Sequence, residues 1–147
     1  MIIEGEHRLP CELARAWQAL NDPGVLKLCI PGCESIEAAG ENRYECLITA
    51  KYGPVKTRFK TVLALTNIDA PYSYTLAGEG KGGVAGFGKG KADVQLARDG
   101  EDTLLRYQAE FSVGGKLAQV GSRLIASTTK KMSNDFFSRF SEEISGG

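Results

Sequence analysis

The sequence predicts an α+β fold in which a curved antiparallel sheet, buried on one face only, wraps around one long C-terminal helix. Between residues 34 and 114, apolar and polar residues alternate, and turn residues separate about six segments. After Gly114-Gly115 the apolar spacing changes to three or four residues, as in a helix. The length of 147 residues, without repeats or linkers, predicts one domain over residues 1–147.

The first elements are a strand and two short helices. Residues 2–9 alternate and predict a strand. Pro10 opens a predicted helix that ends at Asn21. Asp22, an N-cap residue ahead of a first-turn proline, begins a second helix, which Pro31-Gly32 ends.

The alternating segments that follow predict strands with one apolar and one polar face. Phe59 and Tyr107 fall on the apolar phase, whereas neighbours such as Arg58 and Arg106 fall on the polar one. Most of these aromatic residues are expected in the core. A sheet that grips a helix along only part of its length nevertheless leaves an interior that suits an apolar ligand.

The last element is a helix predicted over residues 116–144 without an interior break, about 44 Å long. Leu124 is expected near the middle of the apolar stripe, where the sheet has room to leave a pocket, and Lys130 on the polar side. The stripe runs through Leu117, Val120, Leu124, Met132, Phe136 and Phe140.

Glycines are concentrated before the sixth strand. Gly86, Gly88 and Gly90 share the predicted inward phase, where missing side chains leave a space or let the helix approach closely. Gly78 to Gly83 match G-x-G-x-x-G, and Gly83 to Lys89 match the first part of a phosphate-binding loop. Strand alternation continues where such motifs require a helix, so nucleotide binding is not expected.

Composition excludes several function classes. Lys plus Arg and Asp plus Glu both number 18, so the overall charge attracts neither nucleic acid nor an anionic membrane. No apolar run approaches the roughly 20 residues of a spanning helix, and a cytoplasmic protein is expected. Cys29 and Cys33 lack the usual zinc spacing and are expected to be structural. No acid/base pair can be nominated, so neither metal, cofactor nor catalysis is predicted.

The predicted ligand site consists of residues that face the interior. His7, the only histidine, is expected foremost as a hydrogen-bonded core residue, and otherwise as the polar handle of a ligand. The complete predicted ligand-binding set is His7, Trp17, Phe59, Tyr74, Gly88, Tyr107, Phe111, Leu117, Val120 and Leu124.

Segments spread over nearly the whole chain carry a family resemblance. They are Gly5-Glu6, Trp17, Leu20, Asp22-Pro23, the stretch Cys29 to Glu34, the stretch Gly86 to Gly90, the stretch Val113 to Ile125, and Phe136-Phe137. With them the chain resembles the carbon monoxide dehydrogenase CoxG family, within the START and Bet v 1-like helix-grip superfamily. The Cys-Ile-Pro-Gly-Cys and Val-Gly-Gly-Lys-Leu-Ala segments are specific as a pair.

The resemblance implies a seven-stranded helix-grip fold and an accessory role beside molybdenum hydroxylases of the carbon monoxide or xanthine dehydrogenase type. It also implies bringing the dehydrogenase to the membrane and handling a quinone in the cavity. Many relatives continue into a membrane-anchoring tail, whereas this sequence ends at Gly147. Peripheral contact with the inner face of the membrane, through an amphipathic surface or a partner, is the expected substitute.

The leading hypothesis is a non-catalytic carrier of an apolar, quinone- or lipid-like ligand. Two alternatives stay open. A small cyclase- or aromatase-like enzyme of the same fold would need polar groups converging in the cavity, for which His7, Tyr44, Tyr74 and Tyr107 are the candidates. An assembly factor would have an interior filled with side chains and would bind no ligand.

Overall fold

The computed structural model describes residues 1–145 and contains a seven-stranded antiparallel sheet, two short helices after the first strand, and a long C-terminal helix. The strands are β1 (Ile2–Leu9), β2 (Cys33–Ala38), β3 (Arg43–Tyr52), β4 (Val55–Asp69), β5 (Ser73–Lys81), β6 (Phe87–Asp99) and β7 (Asp102–Gly114). The α-helices are α1 (Leu13–Leu20), α2 (Pro23–Cys29) and α3 (Ser122–Ser145), and short 3-10 segments lie at Gly83–Ala85 and Gly115–Val120. The predicted α+β helix-grip architecture is confirmed. Gly146 and Gly147, the end of the predicted domain, lie outside the described residues.

The sheet is a meander with one added strand. Its spatial order is β1-β7-β6-β5-β4-β3-β2, and all neighbouring strands are antiparallel. Strands β2 to β7 therefore pair with their neighbours in sequence, and β1 joins the sheet by pairing with β7. The apolar alternation follows from this arrangement, because one face of every strand packs towards the helices.

The antiparallel order sorts the connections into two ends. We call one end the open rim; it contains the β3–β4 turn, the β5–β6 link and the link from β7 to α3, and comprises residues 51–58, 81–89 and 114–124. We call the other end the closed end; it contains α1, α2, the other turns and the last turns of α3, and comprises residues 10–32, 39–42, 69–72, 98–102 and 136–145.

The start of α2 follows the sequence signal. The Asp22 carboxylate accepts a hydrogen bond from the Gly24 backbone N–H at 2.8 Å, and Pro23 is the first helical residue. Helix α1 begins at Leu13 instead of Pro10, because the backbone first turns, with the Cys11 N–H bonded to the Leu9 carbonyl at 2.9 Å. Both short helices are thus confirmed, with a later start for the first.

The prediction of an unbroken helix over residues 116–144 was wrong. Gly121 has φ +95°, a left-handed conformation that no α-helix contains, and the helix begins only at Ser122. The 24 residues of α3 span about 36 Å. Leu117 and Val120 lie in the 3-10 segment before the helix, and Leu124 lies in the first helical turn at the open rim, not in the middle.

Buried apolar residues form two clusters instead of one continuous core. The closed-end cluster contains Leu9, Leu13, Ala16, Leu20, Cys29, Leu65, Tyr74, Val94, Leu96, Leu105, Tyr107, Phe140 and Ile144. The rim cluster contains Ala50, Phe59, Leu117 and Ile125. The middle of the inner sheet face, between these clusters, is where the predicted pocket would lie.

Candidate ligand-binding interior

Four glycines form a patch without side chains on the inner face of β5 and β6. Gly78 lies directly opposite Gly90, and Gly80 lies directly opposite Gly88. All four share the strand phase of the buried residue Tyr74 or its cross-strand partner Val94, so they face inward. We call this patch the glycine floor.

The glycine floor lies between the two apolar clusters. Inward-facing neighbours on β3 and β4, such as Ile48 and Leu63, are only half-buried and belong to neither cluster. A cluster of large side chains normally fills the space between a sheet and a helix. Here the space over the floor is bordered by glycine and by incompletely buried aliphatic groups.

Gly88 and Gly90 differ in the room above them. A methyl group on Gly88 would lie 3.6 Å from Val113 Cγ1, an ordinary contact, whereas one on Gly90 would lie 2.8 Å from Phe111 Cβ. The atoms nearest to both positions belong to β7 and not to α3. Gly88 therefore leaves space, and Gly90 allows the close approach of a neighbouring strand.

Gly86 does not take part in this face, contrary to the sequence prediction. It precedes β6 and has φ +108°, and a methyl group on it would lie 2.1 Å from the Gly114 carbonyl oxygen. The residue is glycine because a turn needs its conformation and its small size. The strand phase begins only at Phe87.

The predicted binding residues divide between the two ends. Trp17 contacts Tyr74 edge to face, with 5.5 Å between ring centroids, and both belong to the closed-end cluster or pack against it. Burial raises the pKa of Tyr74 to about 12. Those in or against the rim cluster are Phe59, Phe111, Leu117 and Val120.

His7 is the polar residue of the interior. Its ring stacks on Phe137 with 4.2 Å between centroids, and its pKa is lowered by burial and by the positive charge of Lys130. Nε2 is buried and has no hydrogen-bond partner among the described residues. The prediction of a hydrogen-bonded core histidine is therefore wrong for this nitrogen.

Tyr107 lies beside His7, with 6.1 Å between ring centroids, and its hydroxyl oxygen accepts two hydrogen bonds from α3. The donors are Ser133 Oγ at 2.7 Å and Lys130 Nζ at 3.4 Å. Lys130 also donates to the Glu4 carbonyl oxygen, so its placement on a purely polar helix side was wrong. We call His7, Tyr107, Lys130 and Ser133 the polar cluster.

Sequence reasoning missed half of this cluster. Lys130, Ser133 and Phe137 fall three and four residues apart, so they share one face of α3, and this spacing was the available signal. Gly5 was also unassigned; a methyl group there would lie 2.6 Å from Tyr107 Cε1, so glycine lets the Tyr107 ring lie across β1.

A broad concavity of about 1230 Å³ lies over the other face of the sheet. Most of its lining side chains, such as Glu45, Lys60, Glu79 and Lys89, alternate with inward residues and belong to the outer face. Charges of both signs line it, and it is open to solvent. An apolar ligand requires the opposite, so this concavity is not the predicted pocket.

The cysteines are free thiols. Burial raises the pKa of Cys29 and of Cys46 to about 11, which keeps both thiols protonated at neutral pH. Cys33 Sγ donates to the Ser35 carbonyl oxygen at 3.4 Å. Within residues 1–145, no group of three or more His, Cys, Asp or Glu side chains is placed to hold a metal ion.

Residues 5–145 match the CoxG family of carbon monoxide dehydrogenase. The chain belongs to the CoxG family. Membership of this family, together with the START-like fold, indicates a ligand-binding accessory protein associated with carbon monoxide dehydrogenase. No curated protein sequence matches this CoxG chain significantly.

Solved structures share the fold. A conserved protein from Geobacillus kaustophilus is 32% identical, with a TM-score of 0.93 over 99% of this CoxG chain and 96% of that chain. A START superfamily protein from Mycobacterium smegmatis is 7% identical, with a TM-score of 0.75 over 99% and 97% of the two chains. The Zhui aromatase/cyclase from Streptomyces sp. R1128 is 12% identical, with a TM-score of 0.70 over 99% and 93%. The last two likenesses concern the fold alone.

Between residues 1 and 145 this CoxG chain has no helix whose length and apolar character would let it cross a membrane.

Proposed function

We propose that this chain is a non-catalytic carrier that holds one apolar, quinone- or lipid-like molecule between the sheet and α3. The observation that supports this most directly is the glycine floor between two separate apolar clusters. A carrier needs a space lined by apolar groups with few polar ones, and a fold that grips a helix from one side offers such a space.

The polar cluster supports a ligand with a single polar end. The pKa of His7 is lowered, so its imidazole is neutral at pH 7, and buried Nε2 lacks a partner among the described residues. An unpartnered buried nitrogen costs free energy that a ligand carbonyl or hydroxyl group would recover. Quinones and fatty acids both carry such an end on an apolar body.

The proposed cellular role is that of an accessory protein of a molybdenum hydroxylase of the carbon monoxide dehydrogenase type. Family membership supports this partner. We place the protein in the cytoplasm, in peripheral contact with the inner face of the membrane. Mixing the purified chain with the dehydrogenase of its own host, followed by size-exclusion chromatography, tests the association directly.

Trp17 provides the test of ligand carriage, because it is the only tryptophan and is half-buried against the interior residue Tyr74. Titration with a short-chain ubiquinone and, separately, with oleate should change its fluorescence in a saturable way. Gly88→Leu should weaken that binding at least about ten-fold by filling space above the floor. Ala97→Leu, on the exposed phase of the same strand, is the matched control and should bind like the parent.

Each other result has a defined meaning. Unchanged affinity in Gly88→Leu would show that the ligand does not lie over the floor. Absence of saturable binding to both probes, and of a co-purifying apolar molecule by native mass spectrometry, would favour an assembly factor without a ligand. Chemical conversion of a bound polyketide-like substrate would favour the cyclase-like alternative.

A further inference from the structure

Charge is distributed unevenly between the two ends of this neutral protein. The open rim contains seven Lys or Arg residues and no Asp or Glu. They are Lys51, Lys56, Arg58, Lys81, Lys89, Lys116 and Arg123, and all are exposed. The closed end contains nine Asp or Glu residues and four Lys or Arg residues. The zero net charge of the chain therefore hides a basic surface at the rim and an acidic one opposite.

The rim cations are close to one another and far from most acids. Lys51 and Lys56 face each other directly across the β3–β4 hairpin, an arrangement of like charges that costs stability in a sheet. Arg58 has an ion pair, with its Nε 3.1 Å from Glu34 Oε2, and both side chains are largely exposed. An anionic surface placed against the rim would relieve the repulsion between the two lysines.

Apolar side chains project among these cations. Val84 is 87% exposed, Phe87 is 42% exposed and Leu124 is 37% exposed, and they lie in the β5–β6 link and at the start of α3. Val84 stands in a link rich in glycine, between Gly83 and Gly86, so it extends beyond the sheet. Other exposed apolar residues, such as Leu28 and Tyr72, lie at the acidic closed end.

We propose that the open rim docks onto a bilayer that contains anionic lipid. Separate apolar tips surrounded by lysine and arginine fit the interfacial zone of a membrane, where apolar groups enter the headgroup boundary and cations face lipid phosphates. The acidic closed end points away from the lipid in this orientation. An acidic protein partner would match the charges but would leave Val84 without a matching pocket.

This inference deepens the peripheral membrane contact of the proposed function and rests on it; ligand carriage is a separate property. The rim includes the β5–β6 link and the first turn of α3, which border the interior. A docked rim would therefore bring the interior close to the lipid from which an apolar ligand could enter.

Vesicle flotation tests the proposal with the full chain. It should bind phosphatidylcholine vesicles that contain phosphatidylglycerol, bind pure phosphatidylcholine vesicles far more weakly, and lose binding as salt rises. The double variant Lys51→Glu/Lys56→Glu and the single variant Val84→Asp should each weaken binding at least about ten-fold. The matched control Lys27→Glu/Arg98→Glu, which reverses two exposed cations at the closed end, should bind no less than the parent.

Equal binding to neutral and anionic vesicles, or unchanged binding of the rim variants, would overturn the proposal. So would failure of the parent to float with either vesicle while an acidic protein binds the same rim. The Trp17 titration separates the two hypotheses, because rim variants that keep ubiquinone or oleate binding in solution but lose vesicles have lost docking alone. Circular dichroism of each variant shows that the fold is retained.

Discussion

The closed end and the open rim are built by opposite means. At the closed end, Arg15 donates to the Ile144 carbonyl oxygen at 2.7 Å, and the fully buried Thr103 hydroxyl donates to the Cys11 carbonyl oxygen at 2.9 Å. These bonds tie α1 and the turn before it to the end of α3 and to β7. The rim instead consists of short links that contain glycine at left-handed φ values, such as Gly53 and Gly121.

This difference teaches where stability and function are located. Leu9, Leu105 and Phe140 have no exposed surface, and all lie in the closed-end cluster. Burial of such side chains contributes most of the folding free energy that a domain of this size can gain. The rim can therefore keep exposed apolar tips and repelling lysines, because the fold does not depend on it.

The largest expected effect is at the closed end. Phe140→Ala removes a fully buried ring that stacks on Phe136 with 5.8 Å between centroids, and should lower the free energy of unfolding by about 3–5 kcal/mol. Phe87→Ala at the rim is the matched control and should cost less than about 1 kcal/mol, since much of the Phe87 side chain is exposed. Urea unfolding curves of both variants provide the measurement. Similar losses for the two phenylalanines would contradict the division into a packed and an open end.

A smaller effect distinguishes two glycines of the floor. Gly90→Ala would force a methyl group to 2.8 Å from the Glu110 carbonyl oxygen, and should cost about 1–3 kcal/mol of unfolding free energy. Gly88→Ala meets only an ordinary contact and should change it by less than about 0.5 kcal/mol. Thermal and urea denaturation of the pair decide the matter. If Gly88→Ala destabilises as much as Gly90→Ala, the space above Gly88 is already filled.

The sheet could be predicted because its alternation is uninterrupted. One face of each strand is buried, so residues such as Phe59 and Leu105 recur with period two, and β1 was predicted with the bounds that the structure has. The helix break was missed because apolar residues at Leu117, Val120 and Leu124 keep a helical spacing across it. Gly121 followed by Ser122, a residue favoured at helix starts, was the signal for a new helix.

The site was only partly predictable, because it depends on register between strands. Gly78 and Gly80 were considered as part of a phosphate-binding motif, and only the pairing of β5 with β6 brings them opposite Gly90 and Gly88. Lys130 was assigned to the polar side from its charge, whereas its long side chain reaches Tyr107. Sequence periodicity gives the face of each element separately and cannot give which faces meet.

The smallest expected effect concerns pH and tests whether His7 belongs to the packed part of the molecule. Its pKa in the folded chain lies below the ordinary 6.5, so between these two values the unfolded chain binds a proton that the folded chain does not. The free energy of unfolding should therefore fall as pH decreases from about 6.5 to the folded-state pKa, and this contribution should change no further below it. His7→Phe should abolish that part of the pH dependence, because the chain has no other histidine. Urea unfolding between neutral and mildly acidic pH measures the effect, and an NMR titration of the single imidazole gives the pKa directly. Lys130→Met should raise the His7 pKa towards 6.5 by removing the nearby positive charge. An imidazole pKa at or above 6.5 in the parent would mean that His7 is hydrated, and would move it from the packed interior to the solvent-accessible part of the molecule.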